Sequence, residues 1–295
     1  MVFVLIDNSV VEKVHAFRVF VDGASKIVSA FEESSGFTIV PVLYSPRRYI
    51  NARSIDSIYT VLRELGIVDK LAVVPFSGGG DIDEAYILAT YLQDLAREKL
   101  VFYIPRYAKS ATTLLALAGD EVVLLPVAEL GPVDPVIYDS HIDRYIPLQS
   151  ILEILDLLSQ KGLTSELAKA ILERIPVVEL GDYKMAVEHN AELCGRVLAR
   201  RMYRENPEKA GEIANKLVSY KQHSAAITLK DLLDLGVKAR KAAGHEAEYL
   251  WRIHELWVEK IIEYEELLPP EAIEPVEFKL GRGVVFTVAP SDLIQ

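Results

Sequence analysis

Two short stretches carry residue types that can act together on a carbonyl group. The first, VVPFSGGGDIDEA, sets Gly78, Gly79 and Gly80 between an apolar run and a helical pattern. The second, YAKSATTLLALAG, sets Ser110 after a β-rich run and at the start of another helical pattern. Glycine leaves backbone N–H groups unobstructed. Two such groups aimed at one oxygen stabilise the negative charge that develops there. A serine hydroxyl on a neighbouring loop can be the nucleophile that creates the charge, with the adjacent Ala111 N–H as a donor. Each feature also has a plainer reading. The glycines can form a tight turn with Asp81 as a helix cap, and Ser110 can itself be a cap. A phosphate loop is the third reading of the glycines. Against it, no Lys-Ser/Thr follows, no G-x-G-x-x-G is present, and Asp81 and Asp83 stand where a phosphate would sit.

These loops need elements to position them. Apolar runs at 37–45, 71–76, 100–105 and 121–126 alternate with helical patterns at 54–66, 81–99 and 110–119. That alternation predicts an α/β domain with largely parallel strands. In such a sheet both loops leave the carboxyl ends of strands and open on one edge, where these folds bind ligands. Helical spacing also predicts a helix over 10–35, broken by Gly23, and helix 54–66 starts with Ser54 as its cap. From 148 onward the chain reads as nearly all helical, at 148–160, 164–174, 182–204, 207–220, 229–235 and 247–265. The Pro-rich tail carries two short strand patterns. A soft boundary near 245 separates residues 1–245, with 1–36 as a helical lead-in, from a C-terminal helix and tail at 246–295.

The chain has 295 residues, 51% of them hydrophobic, enough for one large core, and a formal net charge of -11. That acidity argues against nucleic-acid binding, which needs clustered Lys and Arg, and against polybasic membrane binding. One cysteine, Cys194, precludes an intrachain disulfide and reads as a buried small hydrophobe in AELCGRVLAR. No basic-flanked leader and no apolar run of about 18 residues is evident. A cytoplasmic protein without a membrane span is the expectation. His245 and His254 lack cysteines or paired carboxylates around them, so neither a metal nor a cofactor is expected.

Three motifs in order, GGGDIDEAYILATYL, YAKSATTLLALAGDEVVLLP and AELGPVDP, resemble those of the ClpP-class serine peptidases. The nearest branch is the serine dehydrogenase proteinase family, related to signal peptide peptidase SppA. The likeness runs over roughly 37–240 and takes in SPRRYINARSIDSIYTVLREL and QHSAAITLKDLLDLGVKA. It implies the ClpP/crotonase-like fold, a spiral of ββα units, here with a helical C-terminal half, in a homo-oligomer acting on polypeptides. It implies Ser110 as nucleophile and the backbone N–H groups of Gly79 or Gly80 and of Ala111 as the oxyanion hole. Gly78 stands where the family has proline, and Thr112 where it has glycine.

A serine at neutral pH needs a base. ClpP has a histidine where this chain has GPVDP with Asp134, a loop carboxylate that can orient a base or cap a turn. SppA-like enzymes use a downstream lysine. The candidates are Lys161, placed first for its spacing and the flanking Gly162, then His141 and Lys184. Each also has a structural reading, as a helix-end charge, a loop histidine and a solvated helix face. His223 reads as a helix-entry residue. Lys109 adjoins Ser110, but neighbours on a helix point about 100° apart. A catalytically weak member that binds peptides or scaffolds an assembly is the alternative function. A crotonase-like acyl-CoA enzyme is a third, disfavoured because no basic cluster for CoA phosphates stands out.

Overall fold

The apolar runs pair side by side. The computed structural model describes residues 6–139, 144–147, 153, 157 and 177–294. Two helices, α1 (Asn8–Lys13) and α2 (His15–Ser35), lead into β1 (Thr38–Tyr44). Then α3 (Ala52–Leu62), β2 (Val68–Phe76), α4 (Ile82–Leu95) and β3 (Ala96–Ile104) alternate. Next come the two-residue β4 (Tyr107–Ala108), α5 (Ala111–Ala116), β5 (Glu121–Leu124) and β6 (Glu129–Leu130). A small antiparallel ladder, β7 (Val136–Asp139) with β8 (Arg144–Pro147), follows. The later helices are α6 (Val177–Arg200), α7 (Pro207–Val218), α8 (Leu229–Leu235) and α9 (Gly244–Trp257). Between and after them lie β9 (Ala239–Lys241), β10 (Ile273–Leu280) and β11 (Gly283–Pro290).

Seven strands form one sheet in the order β10-β11-β1-β2-β3-β5-β9. Every pairing is parallel except the β10–β11 hairpin. The α/β expectation therefore holds. The strands β1, β2 and β3 are buried over most of their length, which explains why they read as unbroken apolar runs. The buried side chains fall into two apolar clusters. The larger takes Val42, Tyr44 and Val74 with residues of α3 to α8. The smaller sets Leu43 and Phe76 against Val14, Phe17 and Phe20 from the start of the chain and Trp257, Phe278 and Val285 from its last quarter.

Several boundaries differ from the sequence expectation, each for a local reason. Gly23 does not break its helix; the break comes at Val14, which is extended (φ -101°, ψ 105°). A Cβ at Gly23 would lie 2.7 Å from Leu256, so this glycine permits a close helix crossing. The helix expected to reach residue 99 ends at Leu95, and β3 begins at once. Ala96-Arg97-Glu98-Lys99 continues a helical pattern, yet Ala96 and Lys99 pair with Val68 and Lys70 of β2. Tertiary pairing overrides local propensity there. Helix α3 is capped by Asn51, with Ser54 as the reciprocal member of the box. The C-terminal half is helical, but it also returns three strands to the sheet. Of these, β9 was not expected, since its ARK sequence has no apolar character.

Candidate active site

Strand β2 delivers Ser77, which is buried, and the three glycines that follow. Gly79 and Gly80 have φ of 118° and 142°, values that L side chains rarely adopt. Space is also closed to anything larger: a Cβ on Gly80 would lie 2.3 Å from the Ile50 carbonyl oxygen. The loop is stitched to Ile50 by Ile50 N–H donating to Gly79 O and Asp81 N–H donating to Ile50 O, both at 2.9 Å. Asp81 caps α4 by accepting from the Asp83 and Glu84 N–H groups, as its type and position predict. Ser77 Oγ accepts from the Gly79 N–H at 3.0 Å. That bond occupies one of the three expected oxyanion donors. The Gly80 and Ala111 N–H groups have no acceptor among the described residues.

Ser110 comes from the neighbouring loop, held alongside by Lys109 N–H donating to Ser77 O at 3.0 Å. It is half-buried and sits at the N-cap position of α5, yet its hydroxyl makes no capping bond. The simple cap reading of Ser110 does not describe this geometry. Its backbone is at φ 51°, ψ -123°, and no other non-glycine among the described residues has positive φ. Such a conformation costs about 1–3 kcal/mol and persists where surroundings enforce it. Gly79 is part of that enforcement. A Cβ there would lie 2.8 Å from Ser110 Cβ and 3.4 Å from its Oγ, so glycine at 79 lets the two loops touch.

A third loop arrives from β6. Gly131 N–H donates to Thr113 Oγ1 at 3.0 Å, and Thr113 Oγ1 donates to Ala108 O at 2.8 Å, tying this loop to the helix that Ser110 opens. Three residues on, Asp134 is 2% exposed. Its Oδ1 lies 2.9 Å from Nδ1 of His223, whose side chain is 28% exposed. Asp134 Oδ2 has no partner among the described residues. Three residues of chain span at most about 11 Å, so the Asp134 backbone lies within that distance of Gly131, the residue bonded to Thr113. His223 precedes a short antiparallel bridge between Ile227 and Leu130. The ammonium of Lys109 reaches the carbonyls of both Leu130 and Ala225 at 3.2 Å, so the His223 segment meets the Ser110 loop as well.

His223 is the residue that sequence reasoning passed over as a helix-entry position. Its partner is 89 residues away, and one histidine among polar residues gives no periodic signal. The available hint was Asp134 itself, a carboxylate fixed next to Pro135 in a loop and in need of a partner. Lys184 stands exposed on α6, 3.6 Å from Glu188 one turn on, which suits its solvated-face reading. Lys161 and His141 lie outside the described residues. Cys194 is fully buried and its thiol is pushed up to about 12 by desolvation, so it is an inert core residue. No group of three or more metal-ligating side chains converges among the described residues, and no helix among them is long and apolar enough to cross a membrane.

Comparison with known proteins adds the following. The profile of the ClpP-like SDH-type serine proteinases matches residues 28–264. An uncharacterised protein of Methanocaldococcus jannaschii is 34% identical over 143 residues, 48% of this chain and 42% of that protein. A second from the same organism is 30% identical over 131 residues, 44% of this chain and 41% of its own. The matched stretch spans less than half the length of either relative. Among solved structures, a serine-to-alanine variant of the 1510-N membrane-bound stomatin-specific protease is 13% identical, with TM-score 0.43, covering 69% of this chain and 78% of its own. A lysine-to-alanine variant of that protease with a substrate peptide is also 13% identical, with TM-score 0.42 and coverages of 87% and 94%. ClpP1 from Listeria monocytogenes is 11% identical, with TM-score 0.39 and coverages of 70% and 91%.

Proposed function

The chain belongs to the ClpP-like SDH-type serine proteinase family, and from that premise we propose that it hydrolyses peptide bonds with Ser110 as nucleophile, His223 as base and Asp134 as the carboxylate behind the base. The observation that carries this reading is the buried Asp134 bonded at 2.9 Å to a histidine that is partly open to solvent. With Nδ1 engaged by the carboxylate, Nε2 is the nitrogen left to take a proton. Ser110 Oγ attacks the carbonyl carbon while its proton passes to His223 Nε2. The Gly80 and Ala111 N–H groups hold the resulting oxyanion, and the Asp134 carboxylate steadies the imidazolium. The imidazolium then protonates the leaving amine, and a water molecule repeats the sequence to release the acid.

This places His223, rather than Lys161, His141 or Lys184, in the role of base. The substrate in this reading is extended polypeptide, the working form is a homo-oligomer, and residues 1–245 form the peptidase unit with 246–295 as its appendage. The test uses a fluorophosphonate probe, which the serine attacks at phosphorus with loss of fluoride. The full chain is labelled on Ser110, Ser110→Ala is not labelled, and His223→Ala is labelled at least about 10³-fold more slowly, since a triad member acts as part of a unit. Lys161→Ala and Lys184→Ala keep the wild-type rate. Undiminished labelling of His223→Ala, or loss of labelling in Lys161→Ala, overturns the assignment of the base. No labelling of the wild-type chain at all favours the peptide-binding scaffold.

A further inference from the structure

We infer that Lys109 is a positioning residue, an ammonium staple that holds the three loops of the proposed site in register. Its three N–H donors meet three acceptors: Leu130 O, Ala225 O and Glu129 Oε2, each at 3.2 Å. Those acceptors belong to the segments that carry Asp134 and His223, while Lys109 is itself the neighbour of Ser110. One side chain therefore joins all three. The inference rests on the triad reading above, because only that reading makes the three segments a single machine.

The surroundings fit a lysine and little else. Two of the acceptors are backbone carbonyls converging on one point with a carboxylate, an arrangement that suits the compact ammonium and not the planar fork of arginine. The other oxygen of Glu129 faces Arg106 at 3.6 Å, so the carboxylate is shared and does not cancel the Lys109 charge alone. Lys109 is only 20% exposed, so its contacts are partly shielded from water. A second observation is independent of the hydrogen bonds. A Cβ at Gly131 would lie 2.7 Å from Lys109 Cδ, so the lysine stem occupies the space that any larger residue at 131 would need. Gly131 is not among the glycines with positive φ, so its role is space and not conformation. Lys109 is thus not the base that its adjacency to Ser110 suggests. All its donors are spent on the scaffold, and it acts on the chemistry only by fixing distances. Misplacement of reacting groups by about 1 Å can cost about 10²-fold in rate.

The experiment measures saturable inactivation by the same fluorophosphonate, which separates the maximal rate from the half-saturating concentration. In Lys109→Met the maximal rate falls about 10²-fold, the half-saturating concentration stays put and the pH profile keeps its shape. Gly131→Ala, which keeps the ammonium but displaces its stem, moves the rate in the same direction. The double variant is no slower than the worse single one, since both break one contact. If Lys109→Met fails to fold, Gly131→Ala decides. A wild-type maximal rate per folded molecule in both variants overturns the staple. Ser110→Ala and His223→Ala run alongside. Should they keep wild-type labelling, the triad reading falls, whereas normal rates in the Lys109 and Gly131 variants alone remove only the staple.

Discussion

Arg48 meets Glu277 at 3.0 Å, and His223 meets Asp134 at 2.9 Å. Both pairs hold a carboxylate that is almost completely buried, yet they differ in how far it is satisfied. Glu277 accepts from Arg48 and Ser57, with Arg53 close by at 3.5 Å. Arg48 also donates to the Val276 and Thr287 carbonyls at 3.0 and 2.8 Å. Its guanidinium is not a group that exchanges a proton at ordinary pH. Among the described residues Asp134 is bonded through one oxygen only, and its partner is an imidazole, a ring of the type that gains and loses a proton. The first arrangement pins α3 to the β10–β11 hairpin. The second leaves one group free to move a proton. A saturated buried pair is scaffold, and an unsaturated one with a titratable partner is suited to chemistry.

The largest effect that tests this contrast is Asp134→Asn. The amide keeps the volume but withdraws the charge that steadies an imidazolium, so fluorophosphonate labelling slows by about 10⁴-fold. The melting temperature moves by only a few degrees. Equal loss of folding and labelling would put Asp134 in the same class as Glu277. The next effect is the converse. Glu277→Gln strands a buried Arg48 and costs about 3–5 kcal/mol in urea unfolding, while labelling per folded molecule is unchanged. Adding Arg48→Met to Glu277→Leu returns most of that stability, because a well-packed apolar pair needs no desolvated charge.

Glu265 sharpens the contrast with the smallest change. It too is buried with one oxygen unpartnered among the described residues, and its other oxygen accepts from Thr287 and, at 3.2 Å, from the Val288 N–H. No imidazole among the described residues is bonded to it. Burial raises its carboxyl above the ordinary range, against the lowering effect of the Thr287 hydrogen bond. A folded value above the unfolded one means that ionisation is disfavoured in the fold. Stability therefore gains as pH falls through the raised value, and the penalty is present above it. Glu265→Gln raises stability at neutral pH, flattens that part of the pH dependence and leaves labelling unchanged. Altered labelling would show that an orphaned oxygen alone marks chemistry, without a proton carrier beside it.

The parts of the site that could be read from sequence are those written contiguously. Gly78–Gly80 and Ser110 each sit between a strand and a helix, and the backbone demands of the loops select their residue types locally. The four central strands were legible because burial on both faces leaves an unbroken apolar run. The role proposed for His223 was not legible, since it rests on a partner brought up by the fold. Ala96–Lys99 misled for the opposite reason: their charges suit a helix, and only the waiting edge of β2 makes them a strand. Gly23 misled because a glycine that admits Leu256 looks the same in sequence as one that ends a helix.

The pairing of β1 with β11 fixes an order of events during synthesis. Val42 lies beside Val284, so one edge of β1 has no partner until a segment about 240 residues further along has left the ribosome. Its other edge is covered early, by β2 through Leu71 to Phe76. A nascent chain therefore carries an open, apolar strand edge while that intervening segment is made, the kind of surface that invites pairing with another chain. Ser110 and its glycine loop can assemble within that unfinished sheet, whereas His223 and then the Arg48–Glu277 pair join later. The hairpin that closes the sheet is thus also the step that ends the window for misassembly.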